Sequence, residues 1–373
     1  MDSSKSIRMR EAVPSDNRAL VDLVHTAPIQ AESTIWIDRD PDFFALLRLQ
    51  GEDPRVWVAE DGERIVGNFS YSMRTEIHDG QPVKVLHCGD LRIHPDYRHS
   101  KAFLKIVKTY LKRLRLGDYH HAVVEIMEGN DDVLEMQRVL ERVVTIVPAG
   151  DARLFQLVPF LVPRPDSAYR YRAAGQDDLD QLAEILQEAY GDYDGRPVLD
   201  RDGLLKLVSQ HPSFPLGSIR VCEARKGPGA GRILACCGVW DQKDIRRAVV
   251  EKFTSSAASA IGIMRRLSFL GIFPPVPRAG EHLNYAWLRF PAWRSGHEDA
   301  GRQLVRSVLK DARRQGHYHF IWAGFHEKDS KVSCLDGLRK KESRVRQFHY
   351  YPKDRQAGAA AAGAVSWTDF SLV

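Results

Sequence analysis

The chain has 373 residues, 43% of them hydrophobic, which fits two domains or one large one with a sizeable core. A formal net charge of +5 favours an anionic ligand but is far from the density of a chromatin protein. Five cysteines without a C-x-x-C pair exclude a disulfide framework and a zinc site, and no metal is expected.

The first residues, MDSSKSIRMREA, contain no apolar leader, and no apolar run reaches the length of a membrane span. The expectation is a cytoplasmic protein without a membrane partner. From Ile7, IRMREAVPSDNRALVDLVHTA alternates and then changes to a spacing of three or four, a strand followed by a helix. RVWVAEDGERIVGNFSYS, from Arg55, is two strands around a charged turn, hence a hairpin. DLRIHPDYRHSKAFLKIVKTYL, Asp90 to Leu111, starts as a strand, turns at Pro95 and continues as a helix that Ser100 can cap. LRLGDYHHAVVEI leads into another strand, and LFQLVPFLV, from Leu154, closes the half with one more. The prolines of VPRPDSAY then mark a linker.

After the linker the order repeats. YRYRAAGQDDLDQLAEILQEA, from Tyr169, aligns Arg170, Arg172, Ala174 and Asp178 with Arg8, Arg10, Ala12 and Asp16. IRVCEARKGPGAGRILACCGVW, from Ile219, is a second hairpin, and ARRQGHYHFIWAG matches Gly316 and Tyr318 to Gly117 and Tyr119. The second copy is longer, which places an insertion at about residues 241–282. There Val249, Phe253, Ala257, Ile261 and Met264 recur at helical spacing, a helix docked across the interface or a lid over an apolar pocket, ended by Pro274 and Pro275. RQAGAAAAGA is a low-complexity loop before a final strand in VSWTDFSLV, from Val365. Each half, 1–162 and 163–373, has the order β-α-α-β-β-β-α-β-α-β, an α+β layout made twice.

From Arg98 to Arg115 the charged residues are Arg98, Lys101, Lys105, Lys108, Lys112, Arg113 and Arg115, with no acid among them. Five of these share one helical face, while Phe103, Ile106, Val107, Tyr110, Leu111 and Leu114 share another. A helix N-terminus carries unsatisfied N–H groups, so a positive face there suits a phosphate-bearing donor such as a coenzyme A thioester. An acyl carrier protein or nucleic acid would fit the same charge. In the second half Glu298 and Asp299 stand at the corresponding helix start, where they suit the helix dipole but repel a phosphate. That half is expected to be structural or substrate-shaping.

The order of elements in each half, with LRIHPDYR ahead of a basic helix, resembles the GNAT superfamily of N-acetyltransferases. Leu91, Ile93, Pro95 and Arg98 match that family's strand L-x-V-x-P-x-x-R, and Lys101 and Phe103 stand where its loop R-x-x-G-x-G/A carries glycines. The resemblance implies two tandem acyl-CoA N-acyltransferase (GNAT-like) domains, each a mixed, mostly antiparallel sheet flanked by helices. It implies an enzyme that moves an acyl group from acetyl-CoA or another acyl-CoA to a small-molecule amine. Carbonyl binding falls to the backbone near Leu91, Arg92 and Ile93, and phosphate binding to Arg98, His99, Ser100, Lys101, Ala102 and Phe103. Asn130 matches the pattern N-x-x-A-x-x-x-Y, in which Gln137 replaces the tyrosine that protonates the leaving thiolate. For the base, Asp90 and His87 stand just ahead of the carbonyl-binding position, with Glu125 and Glu128 on the next strand. Two other functions stay open: a non-catalytic module binding acyl-CoA or an acyl carrier, and a transferase fed by an aminoacyl-tRNA.

Overall fold

The computed structural model describes residues 7–372 apart from 27, 31–32, 99, 129–135, 139, 212, 227–228, 271–272, 354–364 and 368. The first half contains β1 (Arg8–Glu11), α1 (Asn17–His25), β2 (Ile29–Gln30), β3 (Ser33–Asp38), α2 (Ala45–Gln50), β4 (Glu52–Asp61), β5 (Arg64–His78), β6 (Gln81–Ile93), α3 (Lys101–Leu116), β7 (His121–Met127) and β8 (Val144–Leu157). The second contains β9 (Tyr169–Ala173), α4 (Leu179–Tyr190), α5 (Arg201–Gln210), β10 (Ile219–Ala224), β11 (Ile233–Asp241), β12 (Arg247–Phe253), α6 (Ser255–Phe269), β13 (His282–Leu283), β14 (Tyr285–Trp293), α7 (Glu298–Gln315), β15 (Phe320–His326) and β16 (Lys340–Pro352).

Twelve strands form one sheet in the order β1-β4-β5-β6-β7-β16-β8-β15-β14-β11-β10-β9. Read from either end it is the same arrangement, except that the halves trade their last strands. β16 of the second half pairs with β7, and β8 of the first half pairs with β15. Among the named strand pairs of the described residues only β6–β7 and β14–β15 are parallel, each joined by a long helix as a parallel crossover requires. The result is a mixed, mostly antiparallel α+β sheet made twice.

The repeated arginines explain why both copies begin alike. Arg10 donates to both carboxylate oxygens of Asp16 at 2.6 and 2.8 Å, and Arg172 to both of Asp178 at 2.6 and 2.8 Å. Each aspartate also accepts the backbone N–H that opens its helix, from Val13 or Gly175 at 2.7 Å. One fork thus fixes strand, turn and helix entry together. Further along, α3 buries Ala102, Ile106, Val107, Tyr110 and Leu114 against the first half of the sheet, and α7 buries Leu304, Val305, Val308 and Leu309 against the second. Each large apolar side chain so buried contributes about 1.5–3 kcal/mol. A Cβ on Gly301 would lie 2.3 Å from the Trp293 ring, so this glycine lets α7 close on the sheet.

Two sequence expectations change. Among the described residues the last strand is β16, not the segment from Val365, whose final residues form a short turn at Phe370–Leu372. Both sides of β15 are already paired, with β14 and β8, which leaves no edge there for a further strand. The insertion does contain the expected helix, α6, which carries Ala257, Ile261 and Met264, but it crosses between the halves through a strand. Val249 and Phe253 lie on β12, which pairs with β3 from Arg247↔Asp38 to Phe253↔Ser33 in a four-stranded sheet β13-β12-β3-β2. Apolar residues four apart satisfy a strand as well as a helix, so the spacing alone did not discriminate. The tract RQAGAAAAGA lies outside the described residues.

Candidate active site

β6 and β7 are hydrogen-bonded only from Val85–Cys88 to His121–Val124. Beyond that point β6 continues along β5 and β7 continues along β16, so no ladder joins Gly89 to Glu125. Gly89 is exposed, and a Cβ there would meet only Ser70 Oγ, at 3.9 Å. An open slot therefore lies between a bare stretch of β6 and a carboxylate on β7.

Glu125 is partly exposed in this slot and accepts a hydrogen bond from Gln347 Nε2 of β16 at 3.0 Å. Burial pushes its carboxyl up to about 7, and the Gln347 bond and the charge of Arg74 only partly oppose that. His87, on the same face, has Nε2 2.5 Å from Glu76 Oε1. Burial and Arg74 lower the His87 pKa. Burial opposes the charge of Glu76, but His87 and His78 hold its carboxyl well below the usual range. His78 bonds Glu76 at 3.2 Å and Asp194 of the second half at 2.9 Å. Burial works against its charge, yet those two carboxylates raise it to about 9. Among the described residues no group of three or more His, Cys, Asp or Glu is arranged to hold a metal ion.

Asp90 has a different task. Asn68 pairs with Arg92 and Ser70 with Gly89, so Asp90 and Leu91 together face one residue of β5 in a β-bulge. Asp90 takes φ 51° there, and its carbonyl accepts from Asn68 Nδ2 at 2.8 Å. Its carboxylate receives Arg39 Nη1 and Nη2 at 2.8 and 2.9 Å, with Arg92 Nη2 at 3.6 Å. Burial alone would raise its pKa, but the two guanidiniums outweigh it and hold the group low. A carboxylate so gripped is a poor proton acceptor, and its geometry is that of a brace for the bulge.

At the start of α3, Ser100 Oγ accepts from the Ala102 N–H at 3.0 Å, and Arg98 is exposed. Leu91, Ile93 and Phe103 pack on the first-half core, and Ala102 is fully buried. His99 and Asn130 lie outside the described residues, as does the side chain of Lys101. Gln137 is buried and donates to Tyr350 Oη at 2.9 Å, so it links β16 to the first half. Sequence reasoning missed Arg39, Arg74, Glu76 and Gln347. One signal was present: Asn68, Ser70, Ser72, Glu76 and His78 put a polar residue at alternate positions of β5, and all five are buried.

In the second half the equivalent slot is filled. β14 and β15 also part beyond Leu288 and Ala323, and Phe290 takes φ 37° at a matching bulge. The parallel registers align Arg289 with Gly89 and Gly324 with Glu125. Arg289 Nε donates to Asp369 Oδ2 at 3.0 Å, and the Phe370 ring covers Gly324, whose Cβ would lie 2.2 Å from it. Trp367 packs edge-on against Tyr190 at 4.5 Å between centroids, and the cavity left is about 30 Å³. This slot has no strand carboxylate in the place of Glu125, its Asp369 is paired with Arg289, and little space is left.

Residues 19–139 match the Acetyltransferase (GNAT) family model. The structure of Saccharomyces cerevisiae N-myristoyltransferase with bound myristoyl-CoA aligns with a TM-score of 0.58 at 10% identity, over 94% of this chain and 84% of that one. A GCN5-related N-acetyltransferase from Sphaerobacter thermophilus aligns with a TM-score of 0.55 at 14% identity, over 93% of this chain and 95% of that one. No curated protein matches the chain significantly in sequence.

Proposed function

We propose that this chain, a tandem-domain member of the GNAT acyltransferases, transfers an acyl group from a coenzyme A thioester to an amine, with Glu125 as the base. The observation that carries this is a carboxyl with a pKa of about 7 beside a stretch of β6 left unpaired on its β7 side. The amine enters beside Gly89 and gives its proton to Glu125. Its nitrogen bonds to the thioester carbonyl carbon, whose oxygen sits at the bulge near Leu91, Arg92 and Ile93. The C–S bond breaks and the thiolate takes a proton from solvent, because a Gln at 137 has no acid to offer. The phosphates go to the start of α3, to its N–H groups and Arg98, with His99 and Lys101 as the further donors the sequence supplies there. Asp90 and His87 support the site, Asp90 through the bulge and His87 through Glu76.

The donor is acetyl-CoA or a longer acyl-CoA, and the acceptor is a small-molecule amine. The first half carries the reaction, and the second closes it off. Free thiol is followed while the protein turns over acetyl- and long-chain acyl-CoA with a pooled set of amines. Release above the buffer rate is expected, together with its loss in Glu125→Gln. Tight coenzyme A binding without any release would instead favour a non-catalytic module, the function that Gln137 in place of a tyrosine supports.

A further inference from the structure

On the sheet face that holds Glu125, the other carboxylates are already paired. β5 sets Ser70 opposite Gly89, Ser72 opposite His87 and Arg74 opposite Val85, and β6 sets His87 beside Val123. Residues opposite one another share a face, and so do residues two apart on one strand. Ser70, Ser72, Arg74, Glu76 and His78 therefore point to the same side as His87, Gly89 and Glu125. Glu76 has a histidine on each oxygen, His87 at 2.5 Å and His78 at 3.2 Å. Asp369, from the second half, takes Arg289 Nε at 3.0 Å on one oxygen and the Ser371 N–H at 3.1 Å on the other.

Arg74 is the exception. It is half-buried and donates from Nε to the carbonyl of Gln50, at the end of α2. It feels the charges of Glu76, Glu125 and Asp369, yet among the described residues no carboxylate pairs with it. With Nε committed, its two Nη groups form the free end of the fork, which matches the two oxygens of one carboxylate. Ser72, two residues away on this face, is 1% exposed, and its hydroxyl has no hydrogen-bond partner among the described residues. A guanidinium partly out of water without a counter-charge and a buried hydroxyl without a partner are both costs that a bound polar ligand offsets.

We propose that the acceptor amine carries a carboxylate, which Arg74 holds while the amine meets Glu125. Four residues along the strands and two strands across set the Cα atoms of Arg74 and Glu125 roughly 16 Å apart. Both side chains reach into that span, so the two ends of the acceptor stand several bonds apart. An α-amino acid, with amine and carboxylate on one carbon, is too short to engage both, whereas an ω-amino acid fits. This inference rests on the acyltransferase reading and adds the class of acceptor.

The test compares 6-aminohexanoate with hexylamine, which lacks only the carboxylate, by thiol release from acetyl-CoA. The wild type should show a kcat/KM for the acid about tenfold or more above that for the amine, mainly through a lower KM. Arg74→Gln should abolish this preference, and Arg74→Lys, which keeps the charge but not the fork, should restore part of it. The ratio between the two acceptors cancels any change that the variant makes in Glu125 itself. Equal kcat/KM in the wild type, or a preference that survives in Arg74→Gln, overturns the proposal. Calorimetry of 6-aminohexanoate on the coenzyme A complex separates it from the reading it rests on. Binding that needs Arg74 but gives no thiol release keeps the acid site and sinks the acyltransferase, and thiol release to both amines without such binding does the reverse.

Discussion

A strand carboxylate becomes a base at neutral pH only when burial outweighs its partners. Glu125 meets that condition, with one neutral donor in Gln347 and a pKa raised to about 7. Glu125→Gln should cut turnover by about 10²- to 10⁴-fold while coenzyme A affinity, read by calorimetry, stays the same. A base must be ionised to act, so wild-type kcat/KM should rise with pH through about 7 and fall off below it. A pH profile of the wild type that is flat from about 6 to 8 would remove Glu125 from that role. Asp90 differs because two guanidiniums face it. Asp90→Asn leaves the buried Arg39 and the half-buried Arg92 without their counter-charge and should destabilise the fold by about 3–5 kcal/mol in urea unfolding. The position of Asp90 beside the proposed carbonyl site was legible in the motif. Its role was not, because Arg39 lies far upstream and no spacing rule links the two.

The elements that shape the slots are the bulges, the diverging parallel pairs and the segment after β16. Phe370→Ala should empty the space over Gly324 and cost about 3 kcal/mol, with faster proteolysis of residues 365–372 as a second readout. Histidines tie these elements together and set a pH window. His211, at the end of α5, and His349, on β16, are held neutral by burial, each near 4, against about 6.5 in an unfolded chain. The unfolded state then binds more protons below about pH 6.5, so their contribution to stability is lost as pH falls from there toward 4. His78, raised to about 9, runs the other way: its contribution is full below the unfolded pKa and lost as pH rises through 9. Urea midpoints should therefore drop on both sides of neutrality, and a His78→Gln variant should lose only the alkaline limb. The alternation of β1, β4 and β5 and the two faces of α3 were readable from residue periodicity. β12 was not, since its partner β3 lies in the other half. Nor was the fate of VSWTDFSLV, which depends on a slot that only the folded second half creates.

At the scale of the molecule, one unit was built twice and then specialised. The first copy kept Gly89 with Glu125, and the second has Arg289 with Gly324, filled by the chain's own residues. The repeat in the sequence showed the two copies, but not their exchange of strands, because β8 and β16 each follow their own half in sequence. The division we propose, at 1–162 and 163–373, therefore cuts a sheet whose central pair is β8 and β16. Expressed alone, the first half would leave β7 without its outer neighbour, and β8 would have no strand on either side. Long unpaired edges of this kind aggregate. Each half alone is expected to be insoluble, whereas the two made together should recover a one-to-one complex with thiol-releasing activity. Appending residues 340–352 to the first half should restore solubility to it, since that segment is β16, the strand that β7 and β8 both lack. A first half that is monomeric and unfolds cooperatively without that strand would mean the exchange contributes little to the fold.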